Sequence, residues 1–142
     1  MAEHRFELRI KAPPERVFDT WIDLDRMTEW VEGVTRVSDV SGPVDRPGTT
    51  YTVWFGRLRS SAEVLAAERP RLFRSRISSS ILKADNEARF EPDGDSTRLI
   101  QTFRTRGLAA AIWARIFATG SYKGSFRGEL NTFKKLVETD PR

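Results

Sequence analysis

The sequence predicts an α+β domain: a curved antiparallel β-sheet wrapped around a long C-terminal α-helix, with two short helices between the first two strands. Three observations carry that expectation. Apolar residues between Leu108 and Glu138 keep one helical phase. Six segments of period two precede them without a helical interruption. No repeat, linker or composition shift divides the 142 residues, which suffice for one domain, 1–142, with a sizeable core.

The first strand is read from Glu3 to Lys11, where Phe6, Leu8 and Ile10 alternate with charged residues. Ala12-Pro13-Pro14 stops it, and Pro14 suits the first turn of a helix, where its missing N–H is harmless. Val17, Phe18, Trp21 and Ile22 then have helical spacing. Asp23 and Asp25 offer a cap for a second short helix, with Met27, Trp30 and Val31 on its apolar side and Gly33 at its end.

Strands follow at Val34 to Val40 and, after a Gly/Pro loop, at Thr49 to Phe55. Beyond a turn at Gly56, Leu58, Ser60, Ala62, Val64 and Ala66 alternate with polar residues. A turn at Arg69-Pro70 leads to Leu72–Ser79, with Phe73, Ser75 and Ile77 on the apolar side. Leu82 to Phe90 sets Leu82, Ala84, Asn86, Ala88 and Phe90 against Lys83, Asp85, Glu87 and Arg89. A hairpin turn at Pro92-Asp93-Gly94-Asp95 returns the chain into Thr97 to Thr105, with Leu99, Gln101 and Phe103 facing in.

In the last helix, Leu108, Ile112, Ile116, Phe126, Leu130, Phe133 and Val137 fall on one side. One continuous helix of about 30 residues would run about 45 Å. Gly120, Gly124 and Gly128 recur every four residues beside that stripe. Two readings are open for them: close approach of a strand backbone, or room left for a bound molecule. Thr119 and Lys123 interrupt the stripe at the same level, so Lys123 either snorkels out or faces a polar cavity.

Composition narrows the chemistry. The chain has no cysteine and one histidine, His4, which argues against disulfides, thiolate metal sites and a His-based triad; no metal or cofactor is expected. Net charge is only +4 and the basic residues alternate with acids, so no nucleic-acid role is expected. No apolar run is long enough for stable membrane insertion, and no apolar h-region precedes Phe6, so a cytoplasmic protein, monomeric or weakly dimeric, is the expectation.

Over nearly its full length the chain resembles the START-like helix-grip superfamily (SRPBCC), in its bacterial polyketide cyclase/dehydrase branch. The resemblance rests on Ile10-Lys11-Ala12-Pro13-Pro14-Glu15-Arg16-Val17-Phe18, on Trp30 and on Gly48. It also rests on Glu68-Arg69-Pro70, on Phe90-Glu91-Pro92-Asp93-Gly94-Asp95-Ser96-Thr97, and on Phe133-Lys134-Lys135-Leu136-Val137-Glu138. Ser96 stands where relatives often carry Gly. These motifs are specific for fold and not for function, because such families include aromatase/cyclases, hydrophobic-ligand carriers and chaperone co-activators.

Candidate site residues follow from strand parity and helix phase. Tyr51, Asn86 and Gln101 are polar groups on apolar faces; the two amides either bond each other or water, or orient the polar end of a ligand. Tyr51 alternatively packs with its hydroxyl at the rim. Trp30 either anchors a helix to the sheet or stacks on a ligand. With Phe103, Thr119, Lys123 and Gly124 these residues make the candidate pocket. Ser78-Ser79-Ser80 has no neighbouring base and reads as a polar strand end, Glu15 and Arg16 as solvated, and the strand arginines as cross-strand ion pairs on the outer face. The expected function is binding of a small hydrophobic, lipid- or polyketide-like molecule between helix and sheet. The alternatives are a cyclase, aromatase or dehydratase, with Lys123 and Tyr51 as the candidate proton-transfer groups, or a protein-interaction module.

Overall fold

A computed structural model describes residues 2–31, 33–80, 83–106 and 121–139. The element order is β1 (Ala2–Ile10), α1 (Pro14–Trp21), a 3₁₀ turn (Leu24–Arg26), α2 (Met27–Trp30), β2 (Val34–Ser38), β3 (Thr50–Phe55), β4 (Leu58–Glu68), β5 (Leu72–Ser78), β6 (Lys83–Asp93), β7 (Ser96–Arg106) and α3 (Ser121–Thr139). The strands form one antiparallel sheet in the order β1-β7-β6-β5-β4-β3-β2. Strands β2 to β7 are thus a meander, and β1 closes it by pairing with β7. The first part of the expected long helix, with Leu108, Ile112, Ile116, Thr119 and Gly120, lies outside the described residues.

The hairpins explain two of the glycines. Phe55 pairs with Leu58 and Asp93 with Ser96, so each turn has two residues. Gly56 and Gly94 take the first position of those turns with φ of +64° and +60°, where a side chain is strained.

The core fills one side of the sheet. Phe6, Ile10, Phe73, Phe90 and Leu99 meet Val17, Phe18 and Trp21 of α1, Trp30 of α2, and Leu130, Phe133 and Val137 of α3. Aromatic edges tie these layers together: Phe18 to Phe90 at 5.4 Å, Trp21 to Phe133 at 5.2 Å, and Trp30 to Phe133 at 4.8 Å. Each such pair adds roughly 0.5–1.5 kcal/mol beyond its buried area.

Several expectations are corrected. Ala66 was expected inside, but a β-bulge between Val64 and Ala66 shifts the parity: Ala66 lies opposite Arg74, and Ala67 opposite buried Phe73. The strand expected to reach Val40 ends at Ser38, because Asp39 turns the chain at φ +55°. Leu58 keeps its parity at the hairpin tip but is 43% exposed. Asp23 precedes the 3₁₀ turn without a side-chain cap, and α2 is a single turn preceded by Arg26. Arg16 is not merely solvated: its guanidinium donates to the Val137 carbonyl at 2.6 Å. Gly128 is exposed and an added Cβ would meet nothing within 4 Å, so it serves neither close packing nor a cavity wall.

Candidate functional site

Register converts the inner face of the sheet into rows of side chains. One row runs Tyr51, Ala62, Ile77, Ala84, Thr105 from β3 to β7. The next runs Val64, Ser75, Asn86, Phe103, His4 from β4 to β1. A third runs Ala67, Phe73, Ala88, Gln101, Phe6. The aromatic core with α1 and α2 closes the side of this face toward Phe90, Leu99 and Ile10. In the first two rows the side chains are smaller and the polar groups gather.

Within those rows Ser75, Ile77 and Asn86 are only half-buried, although they sit on β5 and β6, away from both edges of the sheet. Ser75 and Asn86 are register partners, and Ile77 is the next inner residue along β5. They form one contiguous open patch, bordered by buried Tyr51, Phe73, Gln101 and Phe103.

The polar groups form a diagonal band across four strands. The Tyr51 and Ser75 hydroxyls share a hydrogen bond. Burial pushes the Tyr51 phenol up to about 12, against a smaller downward pull from that bond. The Gln101 Nε2 donates to Asn86 Oδ1 at 3.0 Å. Gln101 Oε1 and Thr105 Oγ1 are buried without a hydrogen-bond partner among the described residues.

The expected site residues are brought together in part. Tyr51, Asn86, Gln101 and Phe103 share the inner face, and the amides bond each other, the simpler of the two readings. The Tyr51 hydroxyl is on Ser75, not at a rim. Trp30 stands apart, between Trp21 at 4.9 Å and Phe133 at 4.8 Å, as an anchor of α2 in the aromatic core. Its Nε1 has no partner among the described residues. Thr119 lies outside the described residues, as do the side chain of Lys123 and the surroundings of Gly124, although both belong to α3. Thr105 and His4 were missed as polar members of this face, whereas Ser75 was placed on it but not singled out as a site residue. Period two would have found His4, since it precedes Phe6, Leu8 and Ile10 by the same step.

The outer face is a different surface. Glu63, Arg76, Asp85, Arg104 and Glu3 make one row of alternating charge, with Arg76 on Asp85 at 2.8 Å and Arg104 on Glu3 at 2.7 Å. Hydrogen bonds and charge from those carboxylates hold both guanidinium groups above their usual pKa. Open depressions of about 400 Å³ lie here, one beside Glu63 and Arg76 and one beside Glu87 and Arg89. Arg76, Glu87 and Arg89 of their walls are committed to ion pairs. Among the described residues no cluster of three or more His, Asp or Glu could hold a metal, and no helix is long and apolar enough to cross a membrane.

A seven-stranded antiparallel sheet packed on a C-terminal helix, with two short helices after its first strand, is the helix-grip class. The chain belongs to the family described as polyketide cyclase/dehydrase and lipid transport, which it matches over residues 1–138. Similar solved structures include a Mesorhizobium loti protein with a TM-score of 0.78 at 16% identity, covering 98% of this chain and 99% of that one. A Thermus thermophilus protein gives 0.74 at 19% identity, covering 96% and 97%. The Zhui aromatase/cyclase of Streptomyces sp. R1128 gives 0.75 at 15%, covering 99% and 96%. At such identities the likeness establishes the fold alone. No curated protein matches the sequence.

Proposed function

We propose that the protein binds a small hydrophobic molecule, lipid- or polyketide-like, against the inner face of the sheet. The observation that carries this reading is that Ser75, Ile77 and Asn86 stay half-buried on the inner face, side by side and bordered by buried Tyr51, Phe73, Gln101 and Phe103. An apolar floor with a few convergent polar groups is the composition of a small-molecule site. The family description, which joins cyclases with lipid transport, supports the same class of ligand.

Binding without chemistry is the favoured form. The Zhui protein is an aromatase/cyclase of the same fold. A cyclase here would need a proton donor or acceptor in the site; the Tyr51 phenol, pushed up to about 12, does not serve as a base near neutrality, which leaves His4 on the inner face and Lys123 on α3 as the groups such chemistry would have to use.

The test is uptake of the neutral fluorescent probe N-phenylnaphthylamine by the wild type and by Ile77→Trp. Ile77 is half-buried, so an indole there extends into the patch. The expected result is saturable uptake by the wild type and at least about tenfold weaker uptake by the variant, with its melting transition retained. Equal uptake by both proteins would place binding elsewhere.

A further inference from the structure

We propose that Asn86 selects the polar end of the ligand, and that it selects a neutral acceptor oxygen, such as a ketone, over a carboxylate or phosphate. This rests on the pocket reading above and adds the chemistry of recognition to it.

The first argument concerns which atoms of Asn86 remain available. Gln101 Nε2 donates to Asn86 Oδ1, so the Asn86 oxygen is occupied from the buried side. The Asn86 Nδ2 keeps its hydrogens, on a residue that is half-buried in the open patch. Turning both amides over would leave the Gln101 NH₂ buried with no acceptor. The observed arrangement leaves only the Gln101 carbonyl oxygen unpartnered, and a buried carbonyl tolerates that better than buried N–H groups do. Gln101, 4% exposed, is therefore a positioning residue: it fixes Asn86 as a donor toward the patch.

The second argument is charge. Along the inner rows the polar side chains are Tyr51, Ser75, Asn86, Gln101, Thr105 and His4, and no Lys, Arg, Asp or Glu is among them. The Tyr51 hydroxyl is engaged with Ser75. A carboxylate or phosphate entering this face would lose its water and meet no Lys or Arg along these rows, an unfavourable exchange. A ketone oxygen needs one or two donors, and Asn86 supplies them. His4 in the same row and Lys123 on α3 are the groups that the experiment has to separate from Asn86.

Three ligands with one ring system make the test: ethylnaphthalene, acetylnaphthalene and naphthoate, each displacing N-phenylnaphthylamine. In the wild type, acetylnaphthalene should bind about five- to tenfold tighter than ethylnaphthalene, the worth of one hydrogen bond, and naphthoate should bind most weakly. Asn86→Leu should bring the ketone-to-hydrocarbon ratio to about one. Asn86→Asp, nearly isosteric, should push the ratio below one, because an acceptor would then face an acceptor. Gln101→Leu should lower the ratio by freeing the amide to turn, whereas a purely structural role would weaken both ligands equally. Tightest binding of naphthoate would assign the polar end to His4 or Lys123 and overturn the proposal, as would a wild-type ratio of one. Failure of the wild type to take up the probe at all is a separate result, and it would overturn the pocket reading itself.

Discussion

The Arg16 guanidinium donates to the Val137 carbonyl at 2.6 Å, joining the first turn of α1 to the last turn of α3 across 121 residues of sequence. The last carbonyls of a helix lack intrahelical partners and carry the negative end of its dipole. A cation placed there satisfies both needs. Close by, the Lys11 amide donates to Glu138 at 2.7 Å. The β1–α1 junction and the end of α3 are thus held together.

Arg16→Ala should therefore destabilise the fold by about 1.5–3 kcal/mol, the range for a hydrogen bond to a charged group. Arg16→Lys should recover part of that loss. Urea midpoints check both. A change below about 0.5 kcal/mol in the alanine variant would show that water replaces the guanidinium without penalty.

Phe133 has no solvent exposure and touches both Trp21 and Trp30. Phe133→Ala should cost about 3–5 kcal/mol, as a large core truncation, and Leu130→Ala about 2–5 kcal/mol. Since Phe133 joins α1, α2 and α3, its loss should also lower the cooperativity of the tryptophan fluorescence transition. Changes under about 1 kcal/mol in both variants would mean that this face of α3 does not close the core.

Tyr51 predicts a stability change at high pH. Its folded pKa of about 12 lies above the ordinary value of 10.0, because burial disfavours the phenolate. The group's contribution is fully present below pH 10 and is lost as pH rises through about 12, where the unfolded chain alone has released the proton. Two pH units correspond to roughly 2–3 kcal/mol. Urea melts across this interval should fall more steeply for the wild type than for Tyr51→Phe. Tyrosinate absorbance in a Tyr122→Phe background should rise late, and a rise at the ordinary value would mean that the hydroxyl is hydrated.

How much was legible in the sequence depends on the range of the interaction. Alternation placed the described inner residues of β1, β5, β6 and β7 correctly, Leu82 lying outside the described residues, since each residue's side is a local property of a pleated strand. Asn86 and Gln101 stood out for the same reason. The role of Arg16 was not legible, because its partner is a backbone carbonyl brought near only by the finished fold. The Tyr51–Ser75 bond was hidden too: it crosses from β3 to β5 over Ala62, whose small side chain leaves the path open. Trp30 was ambiguous because the same residue type suits an anchor and a stacking platform, and only the distance to Phe133 decides.

The bulge in β4 was the other silent feature, and it supplies the last prediction. Val64 lies opposite Ser75 and Ala66 opposite Arg74, so Leu65 is the extra residue. Deleting Leu65 leaves the pairings on either side able to form as they are, with Val64 inside, Ala66 outside and Ala67 inside. What the deletion removes is the added bend and twist that a bulge gives its strand. The protein should then still unfold in one cooperative transition, with a loss of about 1–3 kcal/mol from poorer wrapping of the sheet on its core. Uptake of N-phenylnaphthylamine should weaken as well, because a flatter sheet changes the spacing around Ser75 and Ile77. A broad, non-cooperative transition would show instead that Leu65 sets the register of β4 rather than the curvature of the sheet.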